Sequence, residues 1–389
     1  MGLVSVCTML AHAGGTTSWL NPVDGDWNVG VNWNTGIVPG IGNAVTLGHA
    51  GAYTVTSPAS QSMESLMISN PSVQLNTGNA TTTAIAGDVL NNGLVVVNFT
   101  SNISSTTLRF DANSMLSGSG SILLNAPTSR AQILTGTGVT FTQASGHTIH
   151  GQGQIRGAMI NNGTVSSDSG ISMTLLADDK VNNNIIESTN GSNLIVTGVA
   201  ISQGLAGIIR SEGAGSRVSL TNSTIMGGTL DTTAGGDISF TGSGVVNGIS
   251  NEGSLDVENA VTLSVSNSLN NNGTITINPT GNISATQLIF LDSMTVTGDG
   301  TFLLAAPSTR ARIQTAVGET VTMNPMLTIR GEGRIEASMV NNGLISSDTV
   351  EILMINNDKT NNAVMEAING AVMEFNGITT TQGAAGVIQ

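Results

Sequence analysis

The 389 residues leave room for two or three average domains, yet only 9% are charged and 3% aromatic, while Gly numbers 49 and hydrophobic residues reach 39%. Such a chain is too apolar to be disordered, and poorer in charged and aromatic residues than a globular enzyme of its size usually is. Its formal charge of −14 comes from 25 acidic and 11 basic residues, none of the basic ones before Arg109, so the basic stripe that nucleic acid or anionic lipid requires is excluded.

Residues 1–13, MGLVSVCTMLAHA, are apolar and end in Ala11-His12-Ala13, an A-x-A cleavage pattern. The positively charged start is missing, so the segment reads as a signal peptide truncated at its beginning. A lipoprotein signal at Val4-Ser5-Val6-Cys7 fails at Val6, where a small residue is needed. Cys7 is the single cysteine, and cleavage removes it. The mature chain then depends on burial and hydrogen bonding alone, which suffices for a large solenoid. No run of 18 apolar residues occurs, and no transmembrane helix is expected. The expected location is secreted, extracellular or on the outer cell surface.

Residues 14–63 differ from the rest. They hold Trp19, Trp27, Trp33 and the only tyrosine, Tyr53, punctuated by Pro22, Pro39 and Gly40. The expected role is a cap over the open end of a repeat array, where unpaired strand edges would template aggregation. The alternative role for the same four aromatic residues is a glycan platform.

From residue 64 to 389 the chain repeats itself. Asn-Asn-Gly occurs at 91–93, 161–163, 271–273 and 341–343, so the first and third, and the second and fourth, lie 180 residues apart. Ala126-Pro127-Thr128-Ser129-Arg130-Ala131 matches Ala306-Pro307-Ser308-Thr309-Arg310-Ala311 at the same offset. Later the offset is 179, as in Asp179-Lys180 against Asp358-Lys359. One copy spans 91–270, and a second, incomplete copy spans 271–389. The chain therefore reads as a fragment of a longer protein.

Within each copy runs a shorter period. Alternating apolar runs begin near Thr164, Ile185, Ile208, Thr229, Ser254 and Thr274, steps of 21, 23, 21, 25 and 20 residues that average 22. Alternation over four to six residues signals strand. A strand-and-turn period of that length predicts an all-β fold, a parallel β-helix, with about fifteen rungs stacked roughly 4.8 Å apart into a rod of about 70 Å. Asn and Gly recur where corners demand positive φ, and stacked Asn side chains can bond along the axis. An antiparallel β-sandwich array would need turns every 8–12 residues and leaves the longer step unexplained.

The strings Ser18-Trp19, Gly25-Asp26-Trp27, Asn32-Trp33-Asn34-Thr35-Gly36, Val38-Pro39 and Tyr53-Thr54-Val55, with the recurrent Asn-Asn-Gly-Thr-Ile and Ile-x-Gly-x-Gly-x-Ile, resemble secreted bacterial parallel β-helix repeat proteins. These are autotransporter-like passengers and exoproteins with carboxy-terminal sorting signals. The resemblance covers most of the chain and implies adhesion or matrix roles. No sorting signal or translocation barrel accompanies it.

Candidate chemistry is sparse. The pectinase-type hydrolases on this fold resemble one another in carrying Asn-Thr-Asp, a paired Asp-Asp, Gly-His-Gly and Arg-Ile-Lys. Here only Asp178-Asp179 and Arg334-Ile335-Glu336 come near that set, and the Asp pair reads as a solvated turn. His147-x-x-His150 lacks a third metal ligand and reads as two surface histidines. Gly235-Gly236-Asp237 and Gly298-Asp299-Gly300 lack the nonapeptide period of calcium β-rolls, leaving weak surface Ca²⁺ as the one cofactor the oxygen-rich turns allow. Sequons at Asn98, Asn102, Asn272 and Asn282 follow from Asn and Thr abundance. A carboxylate and Arg or Lys cluster across neighbouring rungs would mark an enzyme, and none is visible.

The expectation is a secreted or cell-surface structural or adhesive rod without catalytic activity, its partners extracellular glycans or host and cell surfaces. One alternative is a polysaccharide lyase or glycoside hydrolase. The other is a passenger stalk for a further carboxy-terminal module.

Overall fold

The computed structural model describes residues 14–307 and 310–389; the leader reading of residues 1–13, with Cys7, lies outside them. Strand takes 56% of the chain and helix 2%, in about 16 solenoid turns of roughly 21 residues. The parallel β-solenoid expected from the repeat period is the observed fold. The chain divides into two compact units, 1–148 and 149–389.

In the first unit, three columns of parallel strands rise rung by rung. One column stacks Tyr53–Ser57, Val73–Thr77, Leu94–Val97 and Ser121–Asn125. The register places Val55 over Leu75, then Val95, then Ile122, all buried. A second column holds Gln61–Met63, Thr82–Ile85, Thr106–Phe110 and Ala131–Thr135. Its neighbour Phe141 stacks on Phe110 at 4.8 Å.

Parallel pairing begins before residue 64. Thr16–Ser18 pairs with Ala44–Leu47, which pairs with Ser65–Ile68. The aromatic segment is therefore itself laddered by parallel pairing to the strands that follow it.

In the second unit, one column runs through Ser172–Leu175, Asn193–Thr197, Arg217–Thr221, Asp237–Phe240, Ser254–Val257, Thr274–Ile277 and Thr301–Ala305. Its inward positions are Met173, Leu194, Val218, Ile238, Leu255, Ile275 and Phe302, in direct register and all buried. Alternation along each strand sends the intervening residues outward. Each fully buried apolar side chain contributes about 1.5–3 kcal/mol.

The corners are held by buried amides. Asn161 Nδ2 donates to Asn182 Oδ1 at 2.9 Å, and Asn182 Nδ2 donates to Gln203 Oε1 at 3.1 Å. The second copy repeats this as Asn341 to Asn361 at 2.8 Å and Asn361 to Gln382 at 3.0 Å. The Gly of Asn-Asn-Gly serves close approach rather than positive φ: a Cβ on Gly273 would lie 1.9 Å from the Gly253 carbonyl oxygen of the rung beneath.

Ile275 is 1% exposed between Leu255 and Phe302. Ile275→Asp should therefore lower unfolding stability by about 3–5 kcal/mol, the cost of an unpaired buried charge. Thr274→Asp, one residue away on the outward face, should cost less than about 1 kcal/mol. Urea unfolding of the two variants checks this, and equal losses would contradict the inward assignment.

Candidate functional site

The three tryptophans sit inside, each 1% exposed. Trp19 and Trp33 pack edge to face with centroids 5.0 Å apart, and Trp27 and Trp33 do so at 4.8 Å. Trp33 Nε1 donates to the Trp27 carbonyl at 2.7 Å. Gly25 leaves the space this requires, since a Cβ there would lie 2.8 Å from the Trp19 ring. Tyr53 is buried in the same unit, and burial pushes its phenol up. A sugar stacks on an exposed ring face, and here the faces are taken by protein. The outward residues of the segment are instead Leu20, Val23, Val29, Val31, Ile37 and Ile41.

The histidines also differ from the surface pair expected. His147 is fully buried in the first unit, where Asn91 Nδ2 donates to its Nε2 at 3.1 Å and Gln143 Nε2 to its carbonyl at 2.7 Å. Desolvation lowers its pKa to about 4, so at neutral pH it is an uncharged acceptor for a corner amide. His150, in the second unit, is half-exposed and pairs with Asp168 at 3.0 Å. Burial raises the Asp168 pKa, but the His150 hydrogen bond and charge and the Gly151 amide outweigh it, and the net shift is downward. Arg330 and Asp348 occupy the positions 180 residues on and pair at 3.6 Å. The duplication thus keeps a basic side chain beside that Asp and not a histidine.

Asp178 and Asp179 are exposed in a turn, and Asp179 Oδ1 accepts the Ala200 amide at 2.8 Å. Beside them Lys180 is 1% exposed, inward between Met159 and Ile201. Its ammonium donates to the carbonyls of Leu176 and Asp178. Lys359 repeats this against Ile355 and Asn357. Desolvation lowers both amines to about 8. A lysine so buried was not legible in sequence, although the recurrence of Asp-Lys in both copies was a clue.

The sequon residue Asn98 is likewise buried, with φ 62°. Its Nδ2 donates to the carbonyls of Asn102, Ser104 and Arg130, and its Oδ1 accepts the Asn102 amide. Asn278 repeats the arrangement at φ 60°. Asn102, Asn272 and Asn282 are exposed.

One cluster of Arg and carboxylates spans neighbouring rungs, which the sequence did not reveal. Arg217, on Arg217–Thr221, bonds Asp237 of the next rung at 3.2 Å and Glu258 at 2.5 Å. Ser239 Oγ donates to Asp237 at 2.5 Å, and Arg217 Nε donates to Ser239 Oγ at 3.2 Å. Asp256 is in register with Ser239. Burial and the nearby Asp237 charge push its carboxyl up to about 6, against a Thr276 hydrogen bond and the Arg217 guanidinium. The members lie about one rung apart in sequence, so no local motif marks them. Asp237 belongs to Gly235-Gly236-Asp237, and its carboxylate is engaged by Arg217 and Ser239.

Among the described residues no group of three or more His, Cys, Asp or Glu is placed to hold a metal ion. Among them, too, no helix is long and apolar enough to cross a membrane. No protein-family model, curated protein or solved structure matches the chain.

Asp256 has a folded pKa near 6 against 3.8 unfolded, so protonation favours the folded state. Its stabilising contribution is full below pH 3.8 and is lost as pH rises through 6. Asp256→Asn should thus raise stability at pH 7 by about 1–2 kcal/mol, discounted for partial exposure, and leave it unchanged near pH 3.5. Denaturant melts at the two pH values test the sign.

Lys180 and Lys359 have the opposite consequence. Their folded pKa of about 8 lies below the unfolded 10.5, so the unfolded chain binds more protons between those values. Stability should rise with pH across that window. In the double variant Lys180→Met, Lys359→Met this rise should largely vanish, as measured by urea midpoints at pH 7.5, 9 and 10.5.

Proposed function

We propose that the protein is a secreted or cell-surface β-solenoid scaffold, structural or adhesive and non-catalytic, comparable to the passengers and exoproteins its sequence resembles. The observation that carries this reading is what the internal duplication preserves. The Asn161–Asn182–Gln203 chain, the buried Asn98 loop anchor and the buried Lys180 turn clamp all recur, at Asn341–Asn361–Gln382, Asn278 and Lys359. Each of these contacts holds one rung to the next or closes a turn. Duplicating them adds solenoid and outward polar surface. A scaffold gains from added surface, whereas catalysis requires one unique constellation. Adhesion would then rest on many weak contacts whose effects multiply when several engage together. Extracellular glycans or cell surfaces are the partners this reading names.

A second reading draws on Arg217, Asp237, Asp256 and Glu258. A carboxyl held near 6 beside other carboxylates is a pattern found in acid and base pairs of glycoside cleavage. Both readings answer to one experiment. Beads carrying the full chain are incubated with immobilised plant, bacterial and animal polysaccharides at pH 5–8, scoring retention and released reducing ends. Retention without new reducing ends is expected. Reducing ends that disappear in Asp256→Asn would replace the scaffold reading with the enzymatic one, and absence of both retention and cleavage would remove adhesion.

A further inference from the structure

An open groove of about 450 Å³ crosses five successive rungs of the second unit, entered at Gln203 and left at Thr297. It runs across the strands, along the stacking direction, through the pairings of Thr229 with Ser250, Ser250 with Asn270 and Asn270 with Thr297. Its bed is glycine: Gly227 and Gly228 have φ of 69° and 66°, and a Cβ on Gly228 would lie 2.5 Å from the Gln203 side chain. No side chain in the lining is charged.

The polar groups are held in place before any ligand arrives. Asn270 Nδ2 donates to Ser250 Oγ at 2.8 Å, and Thr297 Oγ1 donates to Asn270 Oδ1 at 3.0 Å. Gln203 Nε2 donates to the Gly227 carbonyl at 3.0 Å. Ser268 and Thr295 present exposed hydroxyls, and the fully exposed Leu205 forms an apolar lip. Oriented side chains of this kind reduce the ordering cost of binding.

The lining discriminates among ligand classes. A phosphate or uronate finds no cation to pair with. An extended peptide adds to a free strand edge, but here the amides of Gly204, Gly227 and Ser250 are already bonded to neighbouring rungs. An apolar ligand needs an enclosed apolar pocket, and this groove is open. What remains is a neutral chain of hydroxyl groups, read by amides and hydroxyls that recur at the rung spacing of about 4.8 Å. We infer that this groove is a binding site for an extended, neutral oligosaccharide. The inference rests on the adhesive reading and gives it a location.

Saturation-transfer NMR on the full chain tests it with cellohexaose and maltohexaose, against hexagalacturonate and hexaglycine. Ser268→Arg and Thr295→Arg fill the groove from exposed positions, and Ser119→Arg in the first unit is the control. At least one neutral hexamer should bind, at least tenfold more weakly to each groove variant and unchanged to the control, with all three variants melting like the parent. Failure of both neutral hexamers, equal binding by the groove variants, or preference for hexagalacturonate or hexaglycine would each overturn the site. Retention of parent and groove variants alike on immobilised polysaccharide would leave adhesion standing and remove only this groove. Hexamer binding without retention on any surface would do the reverse.

Discussion

A buried Asn at a rung corner has two N–H bonds and one oxygen to satisfy, with no water to help. In the second unit the amide of Asn161 resolves this by donating to Asn182 in the rung above while accepting from its own Gly163 amide at 3.0 Å. Each amide is therefore satisfied only if the next rung arrives in register. A slip by one residue would strand a donor in the core, at about 1–3 kcal/mol per group, and would also send every inward apolar residue outward. The apolar columns make stacking favourable, and the amide chain makes it unique. Apolar burial rejects a slip of one residue but not of two, which keeps the same face inward; the hydrogen bonds reject both.

That constraint explains where charge is allowed. Outward ion pairs such as Arg210–Glu187 at 2.7 Å and Arg217–Glu258 link different rungs, so even the charged surface reinforces stacking. Exposed pairs of this type contribute about 0–1 kcal/mol each. Their value is small beside the columns, consistent with a chain that carries so few charges. The two inward lysines are the exception. Their stems lie in the apolar column while their ammonium groups satisfy turn carbonyls that strand pairing leaves over. A lysine there acts as a turn closure, and the turn around it can then be tight.

The solenoid was legible because its period is written in residues that have few other uses. Asn-Asn-Gly marks the corner, and Thr274-Ile-Thr-Ile277 alternates as an outward-inward strand should; the structure places Ile275 and Ile277 inside. What sequence reading missed are contacts between residues about one rung apart. Arg217, Asp237, Asp256 and Glu258 share no motif, and only the strand register assembles them. His147 was misplaced for a related reason. A histidine near turns looks solvent-exposed, yet here a neutral imidazole accepts a bond from the Asn91 amide within the core. The tryptophans expose the same limit: aromatic composition located the segment, but only packing shows that the Val and Ile residues face outward while the indoles face one another.

The duplication separates what the architecture needs from what it merely permits. Where both copies keep an interaction but change the residue, as His150–Asp168 becomes Arg330–Asp348, a basic side chain beside that Asp is what both copies keep. Where both keep the residue itself, as with Asn98 and Asn278, a left-handed backbone and a multiply bonded amide are required together, and Asn tolerates that conformation better than other side chains with a donor and an acceptor. The groove at Gly227 and Gly228 lies outside the stretch over which the two copies can be compared. Both glycines have positive φ, and a Cβ on either would lie within 2.9 Å of Gln203 in the rung beneath, so rung stacking itself calls for them. Glycine costs conformational entropy on folding, and here that cost accompanies a positive-φ bend packed closely over Gln203. The same bend leaves the polar trough open above it, and a ligand held there would add stability, because occupancy stabilises only the folded state.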